Sequence, residues 1–410
     1  MSQAGRKLLR AQPKRSEEDS DTQRAHRPDF FLLVFMLILM AFGIIMSVVV
    51  GVRRAAFMNN AGWFGYEDNY VFLKDQIFAV TMGLTGFFIA SKLSVKKVWL
   101  KLAGWLLLGT LLLNLILALA IWSGGSLAYC SRGACRWLNI GVTTIQPAEF
   151  LKLALVLFFA LFFARRREEG GVTDLKTAAW VAAVAGLSLF FVVVVQSDLG
   201  SGLSIVAITF VMWILAGLKV RWVAIAAVIG IILALIMIRV APYRMRRVTT
   251  YLDTVGQPTA VLSNFSDDAY QLRQAMIALG SGGLFGVGAN NAVQATSYLP
   301  EPLSDAVFAS IGEVFGLVGC LIVLVLYGLI GWRLLAITSR LGSHSDRFIV
   351  AGAFAWLVGQ ALINIMALTA LIPLTGVNLP FISSGGSSML ASAVMLGLAF
   401  QLSKYTRREK

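Results

Sequence analysis

Charge is scarce in this chain. Only 14% of its 410 residues are Asp, Glu, Lys or Arg, where soluble domains carry about 25%. That excludes an ordinary water-soluble domain as the main body. Cysteine is scarce too, and three residues do not make a disulfide framework. Cys320 lies inside an apolar run and reads as packing. Cys130 and Cys135 share one connection, where a bridge in an oxidising compartment and two ordinary thiols are both open. Heptads, a Walker loop and a dinucleotide fingerprint are all missing. The glycine-rich stretch 280–288 has neither the spacing nor the lysine of a phosphate-cradling loop. No nucleotide cofactor is expected, so any work must draw on the substrate or on an ion gradient. No cleavable signal is expected either: the first apolar run starts near Phe30, is too long, and lacks a small-residue cleavage site.

What is present is apolar length. The chain is 58% hydrophobic, with a mean hydropathy of +0.78. Ten apolar segments are expected near 29–51, 75–91, 99–122, 146–164, 177–196, 199–217, 222–240, 306–332, 348–370 and 385–403. Most match the length that marks a membrane-spanning helix, and lipid tolerates only backbone that satisfies its own hydrogen bonds. The expected fold is all-α: a polytopic membrane protein of about ten helices, with one large extracytoplasmic loop at 241–305. Residues 1–28 read as a disordered cytoplasmic tail and 404–410 as a short cytoplasmic one. With both termini inside, the inner connections and tails hold 24 Lys/Arg and the outer connections nine, the bias expected of cytoplasmic loops. The net charge of +14 is thus largely topological, and no nucleic-acid partner is inferred. The outer arginines run against the bias and ask for a reason.

Four stretches could carry chemistry. In GACRWLNIGVTTIQPAEFLKLAL, Arg136 suits a membrane interface. Glu149 and Lys152 are three apart on one helix face, where they can pair. Intramembrane charge often marks function, but a buried neutral pair locking helices is an equal reading. In QSDLGSG, Asp198 reads first as a helix cap. In the long loop, Arg244, Arg246 and Arg247 cluster where an apolar run has ended, and Asp305 stands at the threshold of the next one. Clustered arginines can neutralise a diphosphate or anchor to headgroups. Asp305 can cap a helix or take a proton from a hydroxyl. Glu313, about two turns deeper, can be structural. In LIPLTGVNLPFISSGGSSML, prolines and a glycine pair force a structured turn, and four serines, Ser387 among them, can line a polar groove. The residues alone leave catalysis on a lipid-linked phosphate and transport equally open.

The ordered set GACRWLNIG…QPAEFLK, QSDLGSG, AYQLRQAMIALGSGGLFGVG, YLPEPLSDAVFASIGEVFG and PLTGVNLPFISSGGSS resembles the SEDS proteins (shape, elongation, division and sporulation). The resemblance spans about residues 30 to 403. PYRMRRV and the long N-terminal tail are closer to the division branch, FtsW, than to the elongation branch, RodA. It implies a peptidoglycan glycosyltransferase that polymerises lipid II outside the cytoplasmic membrane, with a class B penicillin-binding protein, FtsI-like, as partner among other divisome proteins. It puts the family's essential loop aspartate at Asp305. It puts the family's intramembrane pair at Glu149 and Lys152 and its interface arginine at Arg136. Substrate contacts are expected from these and from Asp198, Arg244, Arg246, Arg247 and Ser387, with a divalent cation, Mg2+ or Mn2+, as a candidate cofactor. The chain departs from the family pattern at Ser197, Ser384, Asp75 and the Leu-Ser before Asp305. A lipid II flippase and a non-enzymatic division scaffold are the rival expectations.

Overall fold

The computed structural model describes residues 26–407, apart from 64, 66, 132–133, 142–143, 220, 223, 226–227, 229, 231–248 and 250–266. Among the described residues nine helices are long and apolar enough to cross a membrane. They are α1 (Phe30–Asn60), α2 (Val71–Lys92), α3 (Val95–Ser123), α4 (Pro147–Glu168), α5 (Leu175–Val195), α6 (Leu199–Ala216), α8 (Val307–Arg340), α9 (His344–Leu368) and α10 (Gly386–Tyr405). A shorter helix, α7 (Asp267–Ser281), precedes α8. The protein is a polytopic α-helical membrane protein. The expected segment at 222–240, the first part of the loop at 241–305, and Arg244, Arg246 and Arg247 lie largely or wholly outside the described residues.

The helices divide by burial. The most apolar stretches of α4, α9 and α10 are 78% buried, while those of α3 and α5 are only 28% buried. So α4, α9 and α10 form the centre, and α3 and α5 turn apolar side chains to lipid. In lipid, helices approach through small residues rather than by a hydrophobic drive. Gly83 and Gly86 of α2 lie against Met389, Leu390 and Val394 of α10, and Gly397 of α10 lies against Phe87 of α2.

One element is not helical. Strands β1 (Ala128–Ser131), β2 (Ala134–Asn139) and β3 (Thr144–Ile145) make a small antiparallel sheet between α3 and α4, in the order β1-β2-β3. Cys130 and Cys135 pair across β1 and β2 and form a disulfide. The all-α expectation missed this sheet, because its few short strands sit in a stretch read only as a connection.

Helix α8 is broken at Gly316, where φ is 66° and ψ is −160°. The break frees backbone groups in the span, and the glycine-rich stretch 282–288 takes them. Val287 and Gly288 donate to Glu313 O and Val314 O, at 2.9 and 3.2 Å. Leu317 and Val318 donate to Gly283 O and Leu284 O, at 2.9 and 3.1 Å. Only glycine permits the approach: a Cβ on Gly286 would stand 2.1 Å from Val314 O. Glu313 is structural. Its carboxylate accepts from Gln294 N at 2.8 Å and Ala295 N at 2.7 Å. Two outer arginines also acquire a role. Arg53 donates to Ala289 O and Asn290 Oδ1, and Arg54 donates to Ser297 O at 2.6 Å, so they tie down the backbone that follows the glycines.

The two ends of the described chain meet. His26 N donates to Lys404 O at 3.0 Å, and Asp29 pairs with Arg333 of α8 at 2.5 Å.

Candidate functional site

Asp305 sits in the segment that leads into α8. It does not cap that helix: the N-cap position is Ala306, which makes no side-chain cap bond. Instead the whole segment is held from outside. Pro302 O accepts from Ser310 Oγ at 2.8 Å, and Leu303 O accepts from Ser384 N at 2.8 Å. Ser304 O accepts from Ser383 Oγ at 2.5 Å, and Asp305 O accepts from Asn364 Nδ2 at 2.7 Å. Four consecutive carbonyls are thus fixed by α8, α9 and the turn before α10. Gln271 of α7 completes the setting, with its amide nitrogen 3.3 Å from each carboxylate oxygen of Asp305.

Arg136 reaches the same place from β2. It is 9% exposed. One Nη donates to Ser197 O at 3.2 Å, and the other lies 4.0 Å from Asp198 Oδ1. Arg136 Nη1 and Asp305 Oδ2 each lie 3.4 Å from where a Cβ on Gly376 would stand. Gly376 has φ +65°, a conformation that suits glycine. The loop around it is pressed in place by α6, since a Cβ on Gly200 would meet Val377 Cγ2 at 1.7 Å. Asp305, Gln271, Asn364, Leu374, Thr375 and Gly376 share the wall of a small, shallow pocket.

The other expected residues fall behind this surface. Asp198 is 1% exposed. It caps α6, accepting from Ser201 N at 3.0 Å and Ser201 Oγ at 2.8 Å, and it also accepts from Gln146 Nε2 at 3.3 Å. Ser387 Oγ accepts from Gln146 N at 3.1 Å, fixing the start of α4 to α10. Glu149 and Lys152 are 2% and 0% exposed. Lys152 Nζ lies 2.8 Å from Glu149 Oε1 and 2.6 Å from Gln360 Oε1, with the Trp356 ring at 5.2 Å. Asp198, Glu149 and Lys152 are buried, and desolvated ions need partners; theirs here are protein groups.

Three contributors escaped the sequence reading. Gln271 stood inside a quoted motif without being singled out. Gln360 and Asn364 are lone amides one turn apart inside an apolar span. Polar residues at such positions bond across helices, and that spacing was the available signal.

With this geometry fixed, relatives become informative. A family model described as cell cycle protein, that of FtsW, RodA and SpoVE, matches residues 30–408. The chain belongs to the FtsW/RodA/SpoVE family. It is 30% identical over 390 residues to stage V sporulation protein E of Bacillus subtilis, covering 94% of this chain and all of that protein. It is 34% identical over 371 residues to a probable peptidoglycan glycosyltransferase FtsW of Aliivibrio salmonicida, covering 89% and 88%. Two solved structures share the fold. One is described as structural coordination of polymerization and crosslinking by a peptidoglycan synthase complex, with TM-score 0.70, 24% identity and coverage of 92% and 97%. The other is RodA of Thermus thermophilus, with TM-score 0.59, 24% identity and coverage of 93% and 98%. The SEDS resemblance read from the motifs is thereby established for the FtsW/RodA/SpoVE core.

Proposed function

We infer that this chain is an inverting peptidoglycan glycosyltransferase that polymerises lipid II into β-1,4 glycan strands. Family membership supports the reaction class. The observation that supports the site is the carboxylate of Asp305, on a backbone with four anchored carbonyls, beside Gly376 with the Arg136 guanidinium.

The donor is a glycan on a polyprenyl diphosphate, already activated for displacement. Asp305 accepts the proton of the acceptor 4-hydroxyl as that oxygen attacks the anomeric carbon. The new O–C bond forms as the bond from that carbon to the diphosphate oxygen breaks, and the diphosphate leaves with the electron pair. Arg136 is aimed at the developing negative charge, and Arg244, Arg246 and Arg247 carry further cations for the same leaving group. One displacement inverts an α-linked donor to a β link. The second carboxyl by which glycosidases protonate a poor leaving group is not needed.

Mg2+ and Mn2+ suit one or two carboxylates together with substrate phosphate oxygens. Asp305 offers one such carboxylate, and no group of three or more His, Cys, Asp or Glu among the described residues could hold an ion alone. A bound cation would supply charge neutralisation on the diphosphate, and no step above depends on it.

In this reading the site faces the outside of the cytoplasmic membrane, an orientation the cation count supports. The chain works at the division septum with a class B penicillin-binding protein and other divisome proteins. A RodA-like elongation role is the nearest alternative. A flippase would need the Glu149–Lys152 pair on a path, whereas Lys152 is wholly buried and bonded. The test is reconstitution of the full-length protein in vesicles with fluorescent lipid II. Polymer formation supports the reading. Scrambling of the lipid without polymer overturns it in favour of a carrier.

A further inference from the structure

Asn364 is 2% exposed in α9. Its side-chain nitrogen donates to two carbonyls, Asp305 O at 2.7 Å and Val377 O at 2.6 Å. A carbonyl can only accept, so the amide cannot be flipped, and both of its hydrogens are used. Its oxygen is buried with no hydrogen-bond partner among the described residues. An orphan buried acceptor costs stability. Leucine, of nearly the same shape, would remove that orphan but leave the Asp305 and Val377 carbonyls without their donor. The amide ties these two carbonyls to one point on α9.

The amide joins two segments. One carries Asp305. The other carries Gly376, against which both Asp305 Oδ2 and Arg136 Nη1 rest. The second segment has another anchor on α9: Gln360 Nε2 donates to Asn378 O at 2.9 Å. Gln360 is itself held by Lys152 at 2.6 Å and Trp356 at 2.9 Å. The first segment keeps its bonds at Pro302, Leu303 and Ser304 without Asn364. Loss of the amide would then shift Asp305 without unfolding either segment.

We propose that Asn364 is a positioning residue for glycosyl transfer. It sets the Asp305 carboxyl at its working distance from Arg136 and touches neither sugar nor diphosphate. The proposal rests on Asp305 being the base.

The experiment compares full-length wild type, Asn364→Leu, Asn364→Thr and Asp305→Asn, purified from membranes, with fluorescent lipid II as substrate. It reads kcat, KM and Tm. A misplacement of about 1 Å can cost on the order of 100-fold in rate. Asn364→Leu is expected to lower kcat by at least about tenfold, to leave KM unchanged, and to lower Tm through the two unpaired carbonyls while keeping a cooperative unfolding transition. Asn364→Thr offers one hydrogen instead of two, so its kcat should fall between Leu and wild type. It carries the test if the Leu variant does not accumulate. Wild-type kcat in the variants overturns the proposal, as does a rise in KM alone, or an equal loss of kcat in Gly286→Ala measured alongside, whose fall in Tm would arise at the broken helix instead. An inactive Asp305→Asn beside a fully active Asn364→Leu removes the positioning role only. An active Asp305→Asn removes the base on which the role depends.

Discussion

Arg136 Nη1 and Asp305 Oδ2 approach one empty point beside Gly376, each 3.4 Å from where a Cβ would stand there. A cation and a carboxylate thus border the same point. The gap is shaped by backbone: φ +65° at Gly376 on one side and the anchored 302–305 carbonyls on the other.

Gly376→Ala is therefore expected to act on the site twice. The positive φ makes any side chain strained, at about 1–3 kcal/mol, and the new methyl group touches both charged groups. Polymerisation should fall at least about tenfold, equivalent to about 1.4 kcal/mol on the barrier. Rate and Tm measured side by side check this. A glycine such as Gly104, which has open space around it, gives the control.

The buried pair should behave asymmetrically. Lys152→Met leaves the Glu149 carboxylate uncompensated, a loss of about 3–5 kcal/mol. Glu149→Gln together with Lys152→Met removes both charges and should recover most of that loss. Thermal unfolding in detergent of the two single variants and the double variant measures the difference. Equal destabilisation in all three would show that the charges do not act as a pair.

The brace at the broken helix makes a separate prediction. Gly286→Ala would drive a Cβ to 2.1 Å from Val314 O, at a position where φ is +83°. No flexible side chain is there to move aside. The hydrogen bonds between 283–288 and 313–318 should open, seen as faster amide exchange at Leu317 and Val318. Tm should fall by an amount corresponding to about 2 kcal/mol or more.

The Cys130–Cys135 bridge closes a short loop, with a sequence separation of five. The chain-entropy account gives such a loop about 2 kcal/mol. Replacing both cysteines by serine should lower Tm modestly and cost less activity than Arg136→Ala, since β2 also pairs with β3. A variant as inactive as Arg136→Ala would mean that the bridge itself aims the guanidinium.

Much of this architecture was legible because lipid imposes long uninterrupted apolar helices, which composition reveals directly. The ion pair at Glu149 and Lys152 was readable from helical spacing, and the cap at Asp198 from its place before Leu199. The sheet holding Arg136 was not readable, because strands of four, six and two residues leave little periodicity. The role of Gly280–Gly288 was also hidden: a glycine run that repairs a helix break looks, in sequence, like any flexible loop. Asp305 could be picked out by position. Its four anchored carbonyls could not, because Ser310, Ser384, Ser383 and Asn364 come from segments far apart in the chain. Arg244, Arg246 and Arg247 lie outside the described residues, so their expected substrate contacts stand as proposals.

The most direct measurement is the rate of glycan polymerisation from purified lipid II by Asp305→Asn, which keeps the size and the backbone bonds and removes the proton acceptor. General-base catalysis is worth about 10²–10⁴ in rate. The account predicts a loss in that range with unchanged Tm. Turnover within a few-fold of wild type would contradict it.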